Sequence, residues 1–190
     1  VLAGYRTGAY FMAHRFIHFL LAWAVSFLYS ILPAVPWWAV VQLMMLWLAF
    51  ALIGKSFLDV SQRAELRLFV PMALMLLLYL TVVVYTVLWI AFTMTAAMLG
   101  AAAATLLIAA DPNRALPVRT AVGAAVLMVL CFLFRNASGI GMLPFIAAAL
   151  TYRALACFQL TSGARNKRFL RQAGYAAALM LLVGLTVWSN

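Results

Sequence analysis

Acidic side chains are nearly missing from this sequence: three in 190 residues, against thirteen Lys and Arg and two His. Charged residues of all kinds make up 8% of the chain and hydrophobic ones 69%, with a mean hydropathy of +1.12. A soluble domain carries about a quarter charged residues. Sixteen ionic side chains cannot clothe a protein of this size in water, so lipid must cover most of the exterior. A helical span needs about 20 apolar residues, which leaves room for six or seven spans and no soluble catalytic domain. The expected fold is all-α, a single transmembrane helical domain over 1–190 with about seven spans, or six, and two broken or short-turn junctions.

Other absences narrow the chemistry. No Gly-rich loop precedes a helix as phosphate cradles require, and GxSxG, HExxH and paired-cysteine metal patterns are missing. Cys131 and Cys157 lie in apolar stretches without a CxxC partner and read as buried thiols. No ionisable residue falls mid-span away from a helix break, which argues against proton-coupled transport and voltage sensing. The net charge of +10 has no basic helix or nucleic-acid module behind it, so it points to anionic headgroups and not to nucleic acid. No cofactor and no metal is called for. His14 and His18 stand at i, i+4, but no third ligand or following Glu accompanies them.

What is present is a series of apolar runs. A polar-aromatic lead-in over 1–15 contains Arg6, His14 and Arg15. Spans are predicted over 16–32 and 36–54, separated by a turn that Pro33 and Pro36 frame and that Trp37 and Trp38 follow at interfacial depth. The segment 55–67 (KSFLDVSQRAELR) reads as a short amphipathic helix on the membrane surface, with Asp59 and Glu65 paired to Arg63 and Arg67. The uncharged stretch 68–110 is too long for one span and must break, near 89–95 (WIAFTMT), where two Thr hydroxyls can serve freed backbone groups. Beyond the break, Ala96, Gly100 and Ala104 form a small-residue stripe, a candidate surface for another helix. Further spans are predicted over 120–134, 140–158 and 173–188, with Arg135-Asn136-Ala137-Ser138-Gly139 interrupting between the first two.

Seven spans would put the lead-in, the loops at 55–67, 111–119 and 161–172, and Arg153 on one face. That face would hold twelve of the thirteen Lys and Arg, with only Arg135 on the other. By the positive-inside rule the rich face is cytoplasmic. Arg135 and Asn136 are the sharpest candidate site: a guanidinium fork for a phosphate or diphosphate, with an amide for sugar hydroxyls. The alternative is an arginine that snorkels to headgroups at a turn. The chain begins at Val1 and is expected to be a fragment of a longer protein.

Three segments together resemble a known group. FIHFLLAWAVSFLYSILPAVPWW (16–38), FTMTAAMLG (92–100) and FRNASGIGMLPF (134–145) are similar to segments of bacterial polytopic membrane proteins of the C-type glycosyltransferase superfamily, which use polyprenyl-phosphate sugars. His18 stands where those proteins tend to carry Asn. The resemblance implies a bacterial inner (plasma) membrane protein acting on lipid-linked sugars in envelope polysaccharide assembly. It implies substrate contacts by Arg135 and Asn136, with Arg6, His14, Arg15 and His18 framing the entrance. The superfamily's acidic catalytic residue would fall before Val1, so no catalytic residue is assigned. It would also place 1–15 outside the cytoplasm, opposite to the charge bias, and orientation stays open. Two other classes remain: a small transporter or lipid-binding module using the helix breaks, and a non-catalytic membrane subunit packing through Ala96, Gly100 and Ala104. The expected partners are membrane lipids and a lipid-linked sugar.

Overall fold

The computed structural model describes residues 18–89, 92–111, 114, 116–158 and 174. They are helical with short connections: α1 (Phe19–Ile31), α2 (Trp37–Arg63), α3 (Phe69–Leu78), a π-helical turn (Tyr79–Val83), α4 (Val84–Trp89), α5 (Phe92–Ala109), α6 (Val118–Phe134) and α7 (Asn136–Phe158). α3, the π turn and α4 run on as one rod, so the described residues make six helices. Four are long and apolar enough to cross a membrane: Trp37–Arg63, Phe69–Val87, Phe92–Ala109 and Asn136–Ala156. α1 and α6 are shorter apolar helices. The chain is an all-α, multi-pass membrane protein. The span predicted over 173–188 lies outside the described residues.

α5 is the central strut, packed by α2, α6 and α7. Its sequence explains why. Ala96, Leu99, Ala102 and Ala103 are fully buried, and more than half of the helix is enclosed, against 17% of the rod that starts at Phe69. A helix of alanines is thin, so three neighbours can approach its backbone at once. The stripe of Ala96, Gly100 and Ala104 is buried within this one chain. At Gly100 a Cβ would lie 2.4 Å from Met142 Cγ of α7, so the close approach these residues permit is between helices of the same protein.

Two boundaries differ from the sequence expectation. The surface helix predicted over 55–67 is the continuation of α2, which runs unbroken to Arg63. Gly54 does not terminate it: Gly54 is buried, and Met75 Cε occupies the space its Cβ would take. With 27 residues, α2 is about 40 Å long, more than the ~30 Å hydrocarbon layer requires. The interruption predicted over 135–139 is a single residue. Arg135 is extended (φ −163°, ψ 115°), and α7 begins at Asn136. Gly139 sits in its first turn against the ring of Phe132, which leaves no room for a side chain. The break predicted within 89–95 falls between Trp89, the last residue of α4, and Phe92, the first of α5.

A third difference concerns α1. Its thirteen residues span about 20 Å, too short for a crossing. The His18 N–H donates to Leu133 O at 3.1 Å, tying its start to the end of α6. At its other end the Tyr29 hydroxyl accepts the Trp38 N–H at 3.2 Å, and the Trp38 ring lies 5.9 Å from the Phe134 ring. Both ends of α1 therefore meet the same end of the bundle, and α1 lies across that end. This puts His18 on the side of Arg135, where a first span over 16–32 would have put it on the opposite face.

The helices α2, α5 and α7 run parallel, with their C-terminal ends together. Those ends are closed by arginines. Arg153, fully buried, donates to the carbonyls of Leu107 (3.3 Å), Ala110 (2.6 Å), Asp111 (3.2 Å) and Arg114 (3.1 Å). Arg63 donates to Asp59 O at 3.1 Å and to Ala109 O. The last carbonyls of a helix have no partner within it and carry the negative end of its dipole. A planar fork of N–H donors answers both needs.

Replacing Gly100 by Ala is expected to cost about 1–3 kcal/mol through overpacking, measured by unfolding in detergent, and Met142→Ala in the same chain should recover part of it. Arg153→Met is expected to cost at least about 2 kcal/mol, because charge-assisted bonds are lost and buried carbonyls are orphaned. Arg153→Lys should rescue it only partly, since a single ammonium cannot fork.

Candidate functional site

The end of the bundle opposite Arg63 and Arg153 brings together the starts of α2, α5 and α7, the last turn of α6 and the whole of α1. Three helix N-termini meet there, and each presents partial positive charge. Arg135, in the one-residue link between α6 and α7, adds a full charge. Its backbone N–H closes α6 on Cys131 O at 3.0 Å, and its carbonyl opens α7 by accepting the Gly139 N–H at 3.0 Å. The side chain reaches the other helix break. Its guanidinium donates to the Thr93 hydroxyl, and its Cζ lies 5.4 Å from the centroid of the Phe92 ring. The two breaks read from the sequence are thus one locus.

Both described contacts of this cation are neutral. No acidic side chain of the chain can balance it. Asp59 and Asp111 line a pocket at the opposite end with Arg63 and Arg114, and Glu65 lies in the turn just after α2, with φ 53°. Arg135 is half-buried, and no carboxylate of the chain lies at this end.

Beside it, Asn136 is half-buried and its Oδ1 is an acceptor with no donor. His18 is buried (2% exposed) and is the N-cap of α1: its Nδ1 accepts the Leu20 N–H at 3.3 Å, and its ring stacks on Phe19 at 5.0 Å. The structure therefore brings His18, Arg135 and Asn136 to one end. Arg6, His14 and Arg15 lie outside the described residues.

Two residues escaped the sequence reading. Gln42 is buried (3% exposed) on the face of α2 that carries Trp38, one turn deeper, and neither atom of its amide has a hydrogen-bond partner. Ser26, on the buried face of α1, likewise has an unpartnered hydroxyl. A signal for Gln42 existed, since it is the one strongly polar side chain in the run 36–54. Ser26 gave none, because serine is common in helices that meet closely.

Chemically, this end offers a guanidinium to an anionic group, with hydroxyl and amide groups nearby for neutral polar atoms. It holds no carboxylate for general-base work. Comparison with protein-family models, with curated proteins and with solved structures finds no match, so a functional reading rests on this geometry and on the sequence resemblance.

A buried amide without partners costs about 1–3 kcal/mol. Gln42→Leu is therefore expected to stabilise the empty protein by about 1 kcal/mol in thermal unfolding. Unchanged or lowered stability would mean that the amide is satisfied in the membrane.

Proposed function

We propose that this chain is the membrane part of a glycosyltransferase-like protein acting on lipid-linked sugars in bacterial envelope polysaccharide assembly, and that Arg135 engages the phosphate of the lipid-linked sugar. The observation that carries the reading is an arginine without a counter-carboxylate, at the junction of two helix breaks and beside three helix N-termini. A phosphate or diphosphate supplies the missing negative charge and can take two parallel N–H···O bonds from the fork. The amide oxygen of Asn136 accepts from a sugar hydroxyl. His18 helps to shape the entrance, and Arg6, His14 and Arg15 complete it in the same proposal.

The reading assigns binding to this chain and no covalent step. All three of its acids sit at the other end of the bundle, so none of them can activate an acceptor hydroxyl at Arg135. The transporter reading draws less support. Discontinuous transporter helices place their breaks near the bilayer midplane, whereas both breaks here lie at one end of the bundle. The subunit reading loses its surface, since the small-residue stripe is occupied within the chain.

The test is binding of a polyprenyl-phosphate hexose to the full chain in lipid nanodiscs. Arg135→Ala is expected to weaken binding by about tenfold or more, the loss of roughly 1.4 kcal/mol, and Arg135→Lys to fall between the two. Equal affinity of the parent and Arg135→Ala would remove Arg135 from the site.

A further inference from the structure

The end of the bundle that Arg63 and Arg153 close carries a second, separate arrangement. Between α2, α3 and α5 lies a crevice of about 340 Å³, walled by Phe57, Val60, Leu66, Leu74 and Ile108 among others. Three of its lining residues, Ser56, Ser61 and Thr105, bear hydroxyls, and two of these are turned to their own helices: Ser56 Oγ donates to Leu52 O at 2.8 Å and Thr105 Oγ1 to Ala102 O at 3.0 Å. The wall is apolar in consequence. Adjoining it is a polar pocket of about 540 Å³ that includes Asp59, Gln62, Arg63, Asp111 and Arg114. Ala109 lines both spaces. The apolar space takes the deeper residues of α5 (Thr105, Ile108), and the polar one takes its end (Ala109, Ala110) and the residues that follow. An amphiphile entering tail first would have its headgroup at the right depth.

The charges select the headgroup. The pocket offers both signs. Arg63 spends donors on the backbone carbonyls of Asp59 and Ala109 and, with five N–H groups, keeps others available. Arg114 is largely exposed and pairs with Asp111 at 3.3 Å. The Asp59 side chain makes no hydrogen bond or ion pair with any described residue and is exposed on the pocket rim. A purely anionic headgroup would satisfy the arginines and be repelled by Asp59. A headgroup with a phosphate and a primary ammonium satisfies both, because an ammonium donates hydrogen bonds to carboxylates and a quaternary amine has no N–H to give.

We propose that this end of the protein holds one aminophospholipid of the phosphatidylethanolamine type, with an acyl chain in the crevice beneath Ala109, its phosphate on Arg63 and Arg114, and its ammonium on Asp59 and Asp111. The site is independent of the one at Arg135.

Retention of dioleoyl phosphatidylethanolamine, phosphatidylcholine and phosphatidylglycerol by the full chain, read by native mass spectrometry from mixed nanodiscs, tests the assignment. Phosphatidylethanolamine should be retained about tenfold over either of the others, the worth of one charge-assisted hydrogen bond. Asp59→Asn should erase its advantage over phosphatidylglycerol. Thr105→Trp, or Ile108→Trp on the same helix should Thr105→Trp fail to fold, fills the crevice and should abolish retention of all three. Equal retention of phosphatidylglycerol or phosphatidylcholine by the parent overturns the headgroup assignment, as does an unchanged preference in Asp59→Asn. Unchanged retention in a folded Trp variant overturns the crevice.

Discussion

Close approach of α5 to three neighbours is the constraint on which everything else in this protein rests. Between membrane helices the lipid tails are as apolar as the side chains, so burial alone drives little association and packing must do the rest. α5 meets that demand with alanine and glycine, and bulk is supplied from outside by Met142 of α7, which fills the space left at Gly100. Without a thin central helix, α2, α6 and α7 could not all share it, and the ends of the bundle would not assemble.

Parallel packing of α2, α5 and α7 has an electrostatic price. Their dipoles align side by side, with like ends together. The protein answers at the C-terminal ends with Arg63 and Arg153, whose donors lie on the carbonyls of Ala109 and Ala110 at the end of α5 and just after it. At the N-terminal ends nothing of opposite sign is supplied: the one charged side chain among the described residues there is another cation, Arg135. A fold that neutralises one end and leaves the other doubly positive has a polarity, and that polarity is what the proposed anion site at Arg135 would use.

Much of this was legible in the residues. The membrane class followed from the scarcity of charge, and the break between α4 and α5 from a 43-residue uncharged stretch (68–110) that no bilayer could hold straight. Arg135 stood out as a lone cation between apolar runs. The failures have physical causes. Gly54 and the charges after it looked like the end of a span, but a glycine packed against Met75 continues a helix as well as any residue whose side chain would clash there. An apolar run over 16–32 looked like a crossing, yet it forms a thirteen-residue helix across one end of the bundle, and only the tertiary contacts of His18 and Trp38 reveal this. The buried arrangement of Arg153 was illegible too, since its four carbonyl partners belong to the end of α5 and the turn after it, 39 to 46 positions earlier in the chain.

The unequal lengths of the helices bear on the surrounding bilayer. α5 and α6, with 18 and 17 residues, measure only about 27 and 26 Å, while α2 measures about 40 Å. α5 is enclosed by its neighbours, so the apolar girdle is thin beside α6, and α2 carries Asp59 and Arg63 in its last turns. Lipids beside α6 must compress or tilt to match, at a modest cost per ångström. The protein should consequently partition toward thinner regions of its membrane, with α2 acting as a post that keeps the ionic collar clear of the acyl chains.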